Sequence, residues 1–217
     1  MSIFKKIFGK STKDQDRVTT KELETVKTDN VYDVFPILKP PEWIGRAQGA
    51  VNQVLIGNQE NPHLLVGFAY DAPTNFIFQF YQNLSDSELT NLVTKAYENL
   101  ENYDVPLEVV KGSNGRVLKA KRTDFSAEKI LSQNFMLKAH ELLDAESLMV
   151  SIPRRTYMMI TPMDSAGENW TESESRIWSD FKEEHQTIWN NSGSDNAPIL
   201  NVYFVVKNGL ISGAKVA

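Results

Sequence analysis

The chain has 217 residues, 41% of them hydrophobic and 24% charged, a balance that suits a globular protein able to bury a sizeable core and excludes a low-complexity or collagen-like chain. With no cysteine it has no disulfides, no thiolate nucleophile and no Cys-ligated zinc or iron–sulfur centre. A net charge of −5 argues against a nucleic-acid partner, because such proteins carry a basic stripe.

The first ten residues differ in kind from the rest. Ile3, Phe4, Ile7 and Phe8 fall on one helical face and Lys5, Lys6 and Lys10 on the other, the pattern of a short basic amphipathic segment that docks on an anionic membrane surface or on a partner. Residues 11–30 are dense in Lys, Asp, Thr and Glu and read as a polar tether. Residues 1–30 are therefore expected to be leader and tether. Residues 31–217 are expected to form a single α+β domain, or two fused halves with a break near 122–126.

After Pro40-Pro41, the positions Trp43, Ile44, Ala47, Val51, Val54 and Leu55 keep helical spacing and predict a helix within 40–57. A beat then recurs three times: two strands joined by a turn, followed by an amphipathic helix opened by Ser or Thr. In the first, residues 64–70 and 75–81 flank the turn formers Asp71 and Pro73. Ser85 and Glu88 then make a capping box before the apolar stripe Leu89, Leu92, Val93, Ala96, Tyr97 and Leu100. In the second, residues 105–110 and 116–120 join through Asn114-Gly115, a pair that tolerates the positive φ of a tight hairpin, and Ser126 is expected to cap a helix carrying Ile130, Leu131, Phe135, Leu142 and Leu143. In the third, residues 147–152 and 156–161 surround Pro153-Arg154-Arg155. A helix over about 171–189 follows, with Thr171 and Glu174 as its capping box and Ile177, Trp178, Phe181, Ile188 and Trp189 as its stripe. A last hairpin, 199–206 and 210–216, turns through Asn208-Gly209.

Residue identities do not repeat between beats, so the pattern is one of architecture rather than a solenoid. Hairpins pair antiparallel and each helix has one apolar face. The expected fold is thus α+β: repeated hairpin-plus-helix units building an antiparallel or mixed sheet, or sheets, with helices packed on one side.

Chemistry-bearing motifs are sparse. His63, His140 and His185 are dispersed without the spacing that sets two imidazoles on one helix face, so neither a metal nor a cofactor is expected. His185, four residues after Phe181, reads as a packed residue of the aromatic stripe. No nucleophile elbow, P-loop or dinucleotide fingerprint occurs, and the acidic runs around Glu172, Glu174, Asp180, Glu183 and Glu184 read as helix-start and solvated-face charge. Lys111, Arg116, Lys119, Lys121 and Arg122 cluster around the second hairpin and read as a solvated edge. Two binding candidates stand out: Arg154 and Arg155, expected at an exposed hairpin tip where their guanidiniums would meet a carboxylate or phosphate, and the aromatic set Trp170, Trp178 and Trp189 as partner anchors.

Residues 127–132 (AEKILS), 148–160 (LMVSIPRRTYMMI) and 198–210 (PILNVYFVVKNGL) resemble the closing part of the YtpQ-like family of bacterial proteins of unknown function. The resemblance spans residues 60–217 and implies a bacterial intracellular α+β protein. It transfers no functional residue, and the chain looks shorter than the family at its N-terminus.

No apolar run reaches the roughly 20 residues needed to span a bilayer and no secretory core precedes a cleavage site, so the expected location is the cytoplasm, with peripheral contact at the inner membrane face through the leader. The expected function is non-enzymatic: a protein-binding or scaffold domain with a protein partner yet to be identified. A hydrolase or transferase using carboxylates with Arg154 or Arg155 is the alternative, and an acidic inhibitor or immunity-type protein a further one.

Overall fold

Alternation of apolar side chains along the strands divides the molecule into layers. The computed structural model describes residues 32–120, 124–163, 172–191 and 197–217, with side chains of the last helix described from 175; the leader, the tether, Trp170 and the Thr171–Glu174 cap lie outside these. Among the described residues are two antiparallel sheets and four α-helices, an α+β fold as expected.

In the first sheet, β3 (Pro62–Asp71) is central. It pairs with β1 (Val34–Lys39) on one side and with β2 (Asn52–Gly57) and β4 (Phe76–Phe78) on the other. The helix predicted within 40–57 is confined to α1 (Ile44–Ala47). Gly49, at φ 85°, turns the chain away; Val54 pairs with Leu65 of β3 and Leu55 packs against the main cluster as part of β2, a reading their spacing also allows. Trp43 fills the space above Gly45 and Gly67, where a Cβ would stand within 3 Å of its ring. The helix α2 (Asp86–Asn102) begins with the expected capping box: Ser85 accepts from the Glu88 N–H while the Glu88 carboxylate accepts from the Ser85 N–H.

The second sheet comprises β5 (Leu107–Val109), β6 (Leu118–Ala120), β7 (Ser147–Ser151), β8 (Met159–Pro162), β9 (Val202–Lys207) and β10 (Leu210–Val216), in the order β10-β9-β7-β8-β6-β5. Both Asn-Gly turns hold positive φ at both residues, at Asn114 and Gly115 and at Asn208 and Gly209. Ser126 does not cap the following helix. Residues Glu128–Leu131 form a separate 3₁₀ turn, and Ser132 caps α3 (Gln133–Leu143) by accepting from the Phe135 N–H. Inward spacing of Ile130, Phe135 and Leu143 is satisfied by this broken path as well as by one continuous helix.

One face of the second sheet, with Leu118, Leu148, Val150, Ile160, Phe204 and Val206, shares a buried cluster with α2, α3 and first-sheet residues such as Leu38, Leu64 and Phe68. The intervening residues Val117, Met149, Met159 and Tyr203 point the other way. There they meet α4 (Glu172–Trp189) through Phe181, Ile177, Trp178 and Ile188. Helix α4 thus covers the reverse face from α2 and α3.

Candidate functional site

Arg154 and Arg155 do not sit at an exposed tip. The segment between β7 and β8 runs beside residues 197–199, with Arg155 N–H donating to the Ala197 carbonyl and Ile199 N–H to that of Pro153. Arg154 is only 8% exposed. Its Nε donates to the Ile188 carbonyl (2.8 Å) and its Nη2 to that of Trp189 (3.0 Å). These carbonyls close α4, where the last turn has no intrahelical donors and where a cation also meets the negative end of the helix dipole. Arg154 is therefore the C-terminal cap of α4.

Arg155 turns to the other side. Its Nε lies 3.7 Å from Oε1 of the fully buried Glu128, and its guanidinium sits 4.5 Å from the Phe76 ring centroid. Oε1 also accepts from the outward N–H of Leu38 on the open edge of β1, at 3.3 Å, while Glu128 Oε2 is buried without a hydrogen-bond donor. Burial pushes the Glu128 carboxyl above its ordinary value, and the attraction of Arg155 only partly opposes this. Two non-glycine residues in the left-handed region flank the pair: Thr156 (φ 60°) and Phe125 (φ 63°), the latter buried and stacked on Phe35 at 4.1 Å. The expected display of two guanidiniums to an external anion is corrected: both point into the molecule.

A second polar centre lies beneath α4. His185, one turn after Phe181, faces the sheet. Its Nδ1 is 2.8 Å from Oγ of Ser151, the last residue of β7, and its Nε2 is 2.9 Å from Oδ1 of Asn201, just before β9. Gln186 Nε2 lies 3.4 Å from the same oxygen; with the Asn201 amide in this orientation, Nε2–H of His185 donates to Oδ1 and Nδ1 accepts from the Ser151 hydroxyl. This is the polarity that activates a serine nucleophile. Ser151 and His185 have no exposed surface, however, so no substrate atom reaches Oγ in this arrangement. Burial lowers the His185 pKa, with the bond to Asn201 acting in the opposite sense. Sequence reading placed His185 on the packed stripe but missed its partners, which lie 34 and 16 residues away and form no motif.

Trp178 is half-buried and stacked on Phe181 (5.4 Å, 16°), with Tyr203 at 5.7 Å, so it belongs to the layer under α4; Trp189 is also half-buried. Of the basic cluster, Lys119 is tied to Glu184 of α4 and lies over the Tyr157 ring. An open cleft of about 460 Å³ lies where α3 meets the β9–β10 turn, lined by Leu137, His140, Glu146, Ser147, Lys207 and Asn208. Leu137 beside it and Leu210, two residues past Asn208, are exposed, Leu210 to 58%. Among the described residues no His, Asp and Glu side chains group to hold a metal ion, and no helix is long and apolar enough to cross a membrane. Comparison with protein-family models, with curated proteins and with solved structures gives no match.

Proposed function

We propose that this chain is a protein-binding domain whose docking surface is the cleft between α3 and the β9–β10 hairpin. The observation that carries the reading is the exposure of Leu137 and Leu210 beside an open cleft with polar groups on its walls, in a molecule whose other polar centres are turned inward. The basic leader adds a second contact: Ile3, Phe4, Ile7 and Phe8 would enter the interface of an anionic membrane and Lys5 and Lys6 would meet its headgroups, keeping the domain at the inner membrane face of a bacterial cell. That cellular setting rests on the likeness of residues 127–132, 148–160 and 198–210 to the YtpQ-like family.

The test is affinity capture by the full chain beside Leu137→Glu and Leu210→Glu. A partner recovered by the native chain and lost by both variants, each folded by circular dichroism, supports the reading. Equal recovery by all three places any binding elsewhere and refutes it. Flotation with vesicles containing phosphatidylserine, with and without residues 1–10, tests the membrane contact separately; recovery indifferent to the deletion rejects it.

A further inference from the structure

Helix α4 is bound to the sheet less firmly than its neighbours. Phe181 and His185 are its only buried side chains among those described, and Ile177, Trp178 and Ile188 are half-buried, whereas α3 buries Phe135, Met136, Ala139 and Leu143 in the main cluster. Low burial of apolar surface marks an element that opens before the rest of a fold. At the centre of its contact stands fully buried His185, its two ring nitrogens 2.8 Å from Ser151 Oγ and 2.9 Å from Asn201 Oδ1.

We propose that α4 is an acid-released strap: protonation of His185 detaches the helix from the second sheet while both sheets, α2 and α3 stay folded. Among the described contacts no carboxylate pairs with the ring: its bonds go to a hydroxyl and an amide, and although the Asn201 oxygen favours the charged form, neither partner carries a charge to offset the burial of an imidazolium. From β7 comes the Ser151 hydroxyl; from β8, Met159 and Thr161, whose hydroxyl already donates to the Arg116 carbonyl. The chain entering β9 gives the Asn201 amide, and β9 itself gives Tyr203, its ring 4.7 Å away and its phenol pushed up to about 12, neutral throughout. Beyond β7, the Arg154 guanidinium is bonded to the carbonyl of Ile188. On α4 itself, the neighbouring Glu184 carboxylate is held by Lys119 of β6.

Because burial holds the His185 pKa below its ordinary 6.5, the released helix binds the proton more tightly than the docked one. Docking is at full strength above about pH 6.5 and weakens as the pH falls below it, by up to roughly tenfold per unit for one proton. Release uncovers Met149, Met159, Tyr157 and Tyr203, an apolar face distinct from the cleft of the binding proposal and independent of it.

Hydrogen exchange followed by mass spectrometry on the full chain at pH 7.5, 6.5, 5.5 and 4.5, corrected for intrinsic rates, tests the strap. The expected result is a selective fall in protection of α4 peptides below pH 6.5, with α3 and β7 peptides unchanged, and loss of that response in His185→Gln, whose neutral amide bridges Ser151 and Asn201 without titrating. The native chain also supplies a readout that needs no variant: the midpoint of the His185 ring-proton shift by NMR must track the loss of α4 protection. Protection that is flat with pH, a loss shared equally by α3, a response retained in His185→Gln, or an imidazole that titrates without α4 opening would each overturn the proposal.

Discussion

Replacing Arg155 by Met tests the reading of the buried ion pair. Met keeps an apolar stem over Phe76 and removes the charge, leaving Glu128 fully buried with the Leu38 N–H as its donor. At 3.7 Å the attraction between the two groups is about 4.5 kcal/mol in an effective dielectric of about 20, and breaking a buried pair from one side costs about 3–5 kcal/mol in general. Urea unfolding at pH 7.5 should therefore show Arg155→Met less stable than the native chain by about 3–4 kcal/mol. Adding Glu128→Gln should recover most of that loss, since it removes the stranded charge. The dependence on pH has a definite sign. Burial already raises the Glu128 carboxyl, and losing Arg155 raises it further. A carboxyl whose folded pKa exceeds its unfolded value contributes stability that is present at low pH and lost as the pH rises through the folded value. The penalty of Arg155→Met should accordingly shrink between pH 7.5 and pH 5.5. A variant within about 1 kcal/mol of the native chain at pH 7.5, a penalty equal at both pH values, or a double variant no better than the single would refute the reasoning.

Arg154→Ala should cost about 1.5–3 kcal/mol by thermal unfolding, because two bonds from a charged donor to the terminal carbonyls of α4 are lost, and α4 amides should lose protection first. Gly209→Ala should destabilise by well over about 1 kcal/mol in urea, since φ is 75° and the new Cβ would stand 2.8 Å from the Gln133 carbonyl oxygen; Gly112→Ala, at φ 84° but in open space, should cost less, and equal costs would show that the clash does not matter. Ser132→Ala should lower stability by about 1 kcal/mol through loss of the α3 cap; no change would mean that the Phe135 N–H is satisfied elsewhere.

What could be read from the sequence was whatever a few neighbouring residues decide. Asn114-Gly115 and Asn208-Gly209 demand tight turns because both residues accept positive φ, and Ser85 with Glu88 closes a helix start within one turn. The segment 40–57 reads as helix because Val51, Val54 and Leu55 satisfy a helical stripe and a half-buried strand equally well, and the choice falls to pairing with the distant β3. Ser126 reads as the cap because it precedes the apolar stripe, yet Glu128–Leu131 form a separate 3₁₀ turn and the cap falls to Ser132. Arg154 and Arg155 looked exposed because their partners are remote: one guanidinium goes to carbonyls 34 and 35 residues downstream and the other to a carboxylate 27 residues upstream. The contact of His185 with Ser151 and Asn201 was invisible for the same reason.

Those remote partners follow a common logic. Arg154 caps the carbonyl end of α4; buried Lys129 donates to the Leu100 and Glu101 carbonyls at the end of α2; and Glu128 accepts from the open edge of β1. Each charged group satisfies a backbone atom that its own element cannot, so each ties two elements together and its removal leaves that backbone group without its partner. His185 differs in that its ring bonds to side chains, those of Ser151 and Asn201. A change of charge there strands no backbone amide or carbonyl. Loss of Arg154, Lys129 or Glu128 therefore leaves a backbone group unsatisfied, whereas a proton on His185 changes a contact between side chains, the condition under which we propose that α4 yields before the rest of the fold.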